Sequence, residues 1–285
     1  FLSLCLLGCG TEFEAGLCLS ISSRTDTGVH ALGNSAHFDL QRQNGKPPFA
    51  EEVLVDALNF HLRITRAYRV PGGFHARFRA VSRTYVYRLA AGVTHHSCTP
   101  LPDANLCWGL RHIDLDVGAM RDAAALLVGT HNFSSFRALN SETPFKDPVK
   151  TLEMASLELG DAFAHKHFHR DIQFWELTFK SRSFLYKQVR RMTGALVAVG
   201  QGQMSVSGVK ELLEAQDSQA YPHNLTSPPE GLFLTRVEYH RSGETHLTSQ
   251  CVSENFISSH QKSITLPLIP RILSLSSPPS QNPLD

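Results

Sequence analysis

Along the chain, two hydrophobic periods alternate. Strict alternation at Leu17, Leu19 and Ile21, and again at Ala36, Phe38 and Leu40, predicts two strands flanking a polar stretch. A helix is predicted over 50–62, with Val53, Leu54, Ala57, Phe60 and Leu62 near one face. Its Glu51 and Glu52 suit the positive end of the helix dipole. Residues 64–70 resume strand character and stop at Pro71-Gly72-Gly73, a strong turn. Tyr85 and Tyr87 alternate with Thr84 and Val86, which puts both rings on one side of a strand. Residues 95–108 read as a surface loop, because Pro100 and Pro102 oppose regular structure. Val117, Met120, Ala124, Leu127 and Val128 predict a helix over 116–128, ended by Gly129, and 131–137 follows as a loop plugged by Phe133 and Phe136. Strands over 149–159 and 171–180 form a predicted hairpin joined through Gly160 and Asp161. The strongest helix covers 183–199, with a stripe of Phe184, Val189, Met192, Leu196 and Val199 and with Gly194 where close packing is needed. A short helix over 209–215 and a strand over 231–239 complete the pattern, and the Ser-, Pro-, Gln- and Thr-rich composition beyond 241 predicts a disordered tail.

At 285 residues, with 42% hydrophobic and 19% charged, the chain can bury a sizeable core as one large domain or two smaller ones. Net charge is only +1, so any nucleic-acid binding must rest on clustered cations. Between Arg63 and Arg88 stand seven arginines and no acid, interleaved with Tyr68, Phe74, Phe78, Tyr85 and Tyr87. Arginine mixed with aromatics supplies phosphate contacts and surfaces on which bases stack, and a solvated sheet face is the alternative. A second acid-free cluster comprises Lys180, Arg182, Lys187, Arg190 and Arg191, where a solvated helix face is again the alternative and, for Lys187 and Arg191, the better reading. The six cysteines lack a Cys-x-x-Cys spacing, which argues against a structural metal or a disulfide framework and for a reducing compartment. His165, His167 and His169 alternate, but no neighbouring cysteine or carboxylate pattern completes a metal site. No apolar run approaches the roughly 18 residues that cross a bilayer. Residues 1–10 are apolar, begin without Met and lack the basic flank of a secretion signal; they read as the remnant of a longer chain.

The stretch with the most chemical promise runs Ser23-Arg24-Thr25-Asp26-Thr27-Gly28-Val29-His30-Ala31. It sets a carboxylate beside an arginine on a loop between two strands, and Gly28 allows a sharp turn that leaves the Asp26 side chain projecting. An ordinary Asx turn is the other reading.

Arg24-Thr25-Asp26-Thr27-Gly28-Val29-His30-Ala31 resembles the signature loop of the tRNA pseudouridine synthase A family. Phe74-His75-Ala76-Arg77-Phe78 with Arg83-Thr84-Tyr85-Val86-Tyr87 resembles its second motif, and 184–194 its third. Asn132-Phe133, Ser135-Phe136-Arg137 and Glu230-Gly231-Leu232 fit as well, so the likeness runs from about 22 to 239. It implies an α+β pseudouridine synthase fold: two similar α/β halves sharing an extended antiparallel sheet, with flanking helices and a central RNA cleft. Residues 1–73 would be the N-terminal half, 74–240 the C-terminal half and 241–285 the tail. By the same resemblance Asp26 is the catalytic aspartate, Tyr85 packs on the target base, Arg190 pairs with the aspartate and Arg24 helps intrude into the RNA. His30, Arg77, Arg83, Phe136 and Lys187 are the further substrate-binding candidates. The family works as a homodimer on tRNA near the anticodon stem, needs neither metal nor organic cofactor, and its likeness here favours a mitochondrial address. Family chains begin with a strand bearing Tyr-x-Gly and then a helix, which 1–20 does not show, so this chain reads as a truncated or alternatively spliced form. Two functions follow: a tRNA pseudouridine synthase using Asp26, or a non-catalytic relative that binds RNA through the same cleft. A hydrolase with Asp26 as nucleophile ranks below both, because no paired base or metal site accompanies it.

Overall fold

In the computed structural model, residues 19–40, 42, 46–59, 63–95, 99–139, 146–160, 172–240, 246–248 and 263–269 are described. The elements, in chain order, are β1 (Ser20–Ile21), β2 (His30–Ala31), β3 (Asn34–Asp39), α1 (Glu51–Asn59), β4 (Arg63–Ile64), β5 (Tyr68–Val70), β6 (Ala80–Ala91), β7 (Trp108–Leu110) and α2 (Val117–Leu127). There follow β8 (Gly129–Asn132), β9 (Val149–Leu159), β10 (Gln173–Ser181), α3 (Gln188–Gly200), α4 (Val206–Ala215), β11 (Leu232–His240), β12 (His246–Thr248) and β13 (Ser263–Ile269). The α+β architecture that the family resemblance implies is therefore present.

Hydrogen bonding divides the described strands into two sheets. The larger is ordered β12-β11-β6-β10-β9-β8, with β2 parallel on β11 and β7 parallel on β6. The smaller is ordered β1-β3-β13-β4, with β5 also on β13. They meet beside the Asp26 stretch, where the amides of Leu32 and Gly33 both donate to the carbonyl of Leu234 in β11. Sheet membership crosses the expected division at residue 73: β2 lies in the larger sheet, and β13, from the C-terminal segment, lies in the smaller one.

Strand alternation places Tyr85, Tyr87 and Leu89 of β6 on one face, as their spacing predicts, beside Leu177 and Phe179 of β10 and Leu232 and Leu234 of β11. Against that face packs α3 with Met192 and Leu196, and α2 and α4 pack on α3. Covered on several sides, α3 is buried along its whole length except at Arg190 and Arg191, which are half-buried. Each large apolar side chain buried in this way contributes about 1.5–3 kcal/mol.

Several expected boundaries move for identifiable reasons. The helix expected from 183 begins at Gln188, because Lys187 is left-handed at φ +56° and the Gln188 side-chain oxygen accepts the amide of Leu185, turning 183–187 into a loop. Helix α4 starts earlier than 209, since Ser205 caps it by accepting the amide of Gly208. Residues 129–132, expected as a helix stop and loop, form β8 against β9. In α1 the buried residues are Leu54 and Leu58, while Val53 is exposed. Two parts of the tail expected to be disordered are strands: β12 on β11 and β13 between β3 and the β4–β5 pair. The three alternating histidines, the first eighteen residues and the rest of the tail lie outside the described residues.

Candidate active site

The Asp26 loop is a tight turn on a hydrogen-bonded base. The amide of Val29 donates to the Asp26 carbonyl at 3.0 Å, and Gly28 sits at φ +83°, the value a type II turn requires at its third residue. A β-carbon on Gly28 would stand 2.9 Å from Cγ of Pro229, so the same glycine also admits the proline-rich segment before β11. Below the turn, buried Asn34 of β3 accepts the Ser22 hydroxyl at 2.6 Å and donates to the Ser23 carbonyl at 3.0 Å. Arg83 of β6, 8% exposed, donates to the Ser22 carbonyl at 2.8 Å, the Ser23 hydroxyl at 2.9 Å and the carbonyls of Arg77 and Arg182. The loop thus projects Asp26 from a base fixed to both sheets.

Arg190 reaches that carboxylate from α3. Its Nη1 donates to Oδ2 of Asp26 at 3.3 Å, with side-chain exposures of 13% for the arginine and 27% for the aspartate. The guanidinium is aimed by a second bond, Nε to the Ser227 carbonyl at 2.8 Å, while the Ser227 hydroxyl donates back to the Arg190 carbonyl. One cation therefore has both a fixed support and a reachable anion. Tyr85, in β6, lies close enough for the Asp26 charge to act on its phenol. Burial pushes the Tyr85 pKa up against the opposing pull of Arg83 and Ser23, with the Asp26 charge adding the smallest contribution, so the ring enters any reaction as a neutral phenol. Phe184 packs edge-on against it at 5.2 Å. At 8% exposure Tyr85 keeps little free ring surface in this conformation, so stacking on a base requires a shift of its cover.

The remaining candidates separate clearly. Arg24 is exposed at the loop, and Arg77 is exposed at the turn before β6. Arg83 is a clamp on the loop base, as described above, and its contacts are with protein. His30 is stacked on Phe233 at 4.7 Å and hydrogen-bonded to the Asn105 carbonyl at 3.1 Å. Phe136, expected at the RNA surface, is fully buried against Phe133 and Tyr221 and supports the site from behind. Lys187 holds its ammonium 5.2 Å from the Tyr186 ring centre at the left-handed residue that starts α3. Arg191, read as part of a solvated face, instead turns inward to the carbonyls of Ser135, Arg137 and Ser218. In the arginine-rich run, Arg88 is taken by Asp103 at 2.8 Å and Arg69 by the Phe49 carbonyl at 2.8 Å. Asn34 and Ser227 were not among the sequence candidates; both are buried polar residues, Asn34 bonded across the loop to Ser22 and Ser23 and Ser227 to the more distant Arg190, and the only local signal was the Ser-Pro-Pro run at 227–229.

A family model described as tRNA pseudouridine synthase matches residues 123–240. The tRNA pseudouridine synthase-like 1 of Xenopus laevis is 53% identical over 225 residues, covering 77% of this chain and 75% of that protein. The Homo sapiens protein of the same name is 48% identical over 238 residues, covering 81% and 78%. The tRNA pseudouridine synthase A of Cereibacter sphaeroides (strain ATCC 17023) is 41% identical over 228 residues, covering 78% and 80%. With that likeness extending over most of its length, the chain that pairs Asp26 with Arg190 belongs to the tRNA pseudouridine synthase family.

Proposed function

We propose that this chain isomerises uridine to pseudouridine in tRNA with Asp26 as the catalytic carboxylate, Arg190 as the cation that orients it and Tyr85 as the residue that packs on the extruded base. The observation that carries the assignment is the 3.3 Å pairing of Asp26 with Arg190, two residues 164 apart in the chain, with Tyr85 near enough to feel the Asp26 charge. Isomerisation breaks the bond from N1 of uracil to C1′ of ribose and makes one from C5 to C1′. C5 loses a hydrogen and N1 gains one, so the formula is unchanged. Such a step needs an acid–base or nucleophilic group at the sugar–base junction and walls that retain the detached uracil. Asp26 supplies the first, being the accessible end of an anchored pair. Extruding a stacked base costs a few kcal/mol, which contacts with an aromatic side chain partly offset. In this reading Arg24 and Arg77, both exposed, hold the strand through sugar-phosphate contacts. A homodimer, a target near the anticodon stem and a mitochondrial address complete the proposal and rest on the family likeness.

The test uses tRNA carrying tritium at C5 of its uridines. The purified chain is expected to release tritium to water as C5 becomes bonded to the sugar. Binding of the tRNA with no release would establish the non-catalytic RNA-binding reading instead.

Gly28→Ala probes the turn itself. The left-handed backbone costs a β-carbon about 1–2 kcal/mol, and contact with Pro229 adds to it, while the position is exposed and outside the core. Misplacing a reacting group by an ångström costs about a hundredfold, so kcat should fall by about that factor with the far-ultraviolet circular dichroism unchanged. Wild-type turnover in Gly28→Ala would show that the turn does not set the carboxylate.

A further inference from the structure

A second cation cluster borders the site and shares with it Arg83, the clamp on the loop base. Lys146, just ahead of β9, donates from Nζ to the Phe184 carbonyl at 2.6 Å, and Phe184 is the ring that packs on Tyr85. The carbonyl of Lys146 accepts from Nη1 of Arg137 at 3.2 Å. Arg83, bonded to the carbonyls of Arg77 and Arg182, draws the turn before β6 and the segment after β10 to the same place. Arg77, Arg83, Arg137 and Lys150 thus stand near enough for their charges to act on the Lys146 ammonium, which makes five cations drawn from three stretches of chain. The acid nearest in sequence, Asp147, is 72% exposed and lies 4.0 Å from Lys150. Among the described residues, no carboxylate forms a salt bridge with Lys146 or Arg77.

Holding like charges together in a half-buried place is unfavourable unless an anion completes it. Burial first, then Lys150, Arg77, Arg83 and Arg137, bring the Lys146 pKa down to about 8. A phosphodiester is the anion an RNA-modifying cleft supplies, and neutralising it releases counterions.

Resting on the tRNA-synthase reading, we propose that Lys146 and Arg77 form a phosphodiester-binding subsite that grips the RNA backbone beside the nucleotide presented to Asp26. Lys146 is a positioning residue: it holds the strand and the Phe184 carbonyl, and it does not touch the reacting atoms.

The sign of its pH dependence follows. The free lysine loses its proton as pH rises through about 8, whereas a bound phosphate favours the charged form, so binding takes up a proton and weakens as pH rises above that value. The groups facing Lys146 are the arginines 77, 83 and 137, with Lys150 and Asp147 on its own segment, and its charge is the one brought down into this window.

The experiment measures tRNA binding to the full chain between pH 7 and 9.5 at several salt concentrations, for wild type, Lys146→Met and Lys146→Arg. Wild-type affinity should fall about tenfold across the window, and Lys146→Met should bind about tenfold more weakly at pH 7 with a salt slope smaller by about one. Lys146→Arg should bind like wild type at pH 7 and lose the pH step. At saturating tRNA, kcat of Lys146→Met stays within about twofold while KM rises. Wild-type affinity and salt slope in Lys146→Met would overturn the subsite and leave the Asp26 assignment standing. If Lys146→Met fails to fold, a wild type with no pH step, or an arginine variant that keeps one, overturns it. A wild type that binds no tRNA at any pH would sink the substrate reading and the subsite together.

Discussion

Replacing Asp26 by alanine is expected to lower kcat by about a thousandfold or more, equivalent to about 4 kcal/mol of transition-state stabilisation, with tRNA affinity changed by less than about threefold. The side chain projects from a turn, is 27% exposed and belongs to no hydrophobic cluster, so its removal takes away a carboxylate and little packing. Arg190 remains aimed by its bond to the Ser227 carbonyl, and the loop base remains tied through Asn34 and Arg83. Binding should hold or tighten slightly, since the lost charge has the same sign as the RNA backbone. Single-turnover tritium release and filter binding on the same preparation measure the two quantities, and Asp26→Asn, which keeps the shape without the charge, separates electrostatics from sterics. Turnover within tenfold of wild type in either variant would remove Asp26 from the chemistry.

The other large effect is on stability. Gly194→Ala is expected to destabilise the chain by about 3 kcal/mol or more, because overpacking of a rigid interior is relieved only by moving backbone. A β-carbon at 194 would stand 1.6 Å from the Leu225 carbonyl oxygen and 2.9 Å from the Tyr221 hydroxyl. Neither neighbour is a flexible tip. Tyr221 is held by its bond to the Arg191 carbonyl at 2.7 Å and by the Arg191 guanidinium 4.7 Å from its ring centre. The displaced segment leads straight to Ser227, the support of Arg190, so the folded remainder should also lose turnover. Gly208→Ala in α4 is the contrast: its nearest neighbour is the flexible Met204 side chain at 3.0 Å, and its stability should stay within about 1 kcal/mol of wild type. Urea midpoints of the two variants measure the difference, and an unchanged midpoint for Gly194→Ala would contradict the close approach of α3 to 221–225.

Local pattern made much of this legible. The alternation at Tyr85 and Tyr87, the capped helix after Asp116 and the glycine-bearing turn at Asp26 all depend on near neighbours in the chain, and each is where the pattern places it. Motif likeness carried the pairing of Arg190 with Asp26, which no periodicity reveals. Burial of charge was the chief obstacle. Arg83 and Arg191 have the same letters as exposed, phosphate-seeking arginines, and only the surrounding carbonyls disclose that they are staples. Phe136 was similarly ambiguous, since an aromatic in a polar stretch can plug a core or face a base. Strand β2 has two residues and no period to detect; its partner is decided by the distant β11. The late start of α3 turned on a left-handed lysine and a glutamine cap, neither of which breaks the hydrophobic stripe.

The parallel pairing of β2 with β11 has a consequence for the order in which the protein becomes competent. His30 and Ala31 find their partners only at Phe233 and Leu234, and Gly28 meets Pro229. A nascent chain therefore carries the Asp26 turn long before the strand that seats it exists. Synthesis must run past residue 234 before this pairing can form, so products that end earlier lack the strand on which β2 is held.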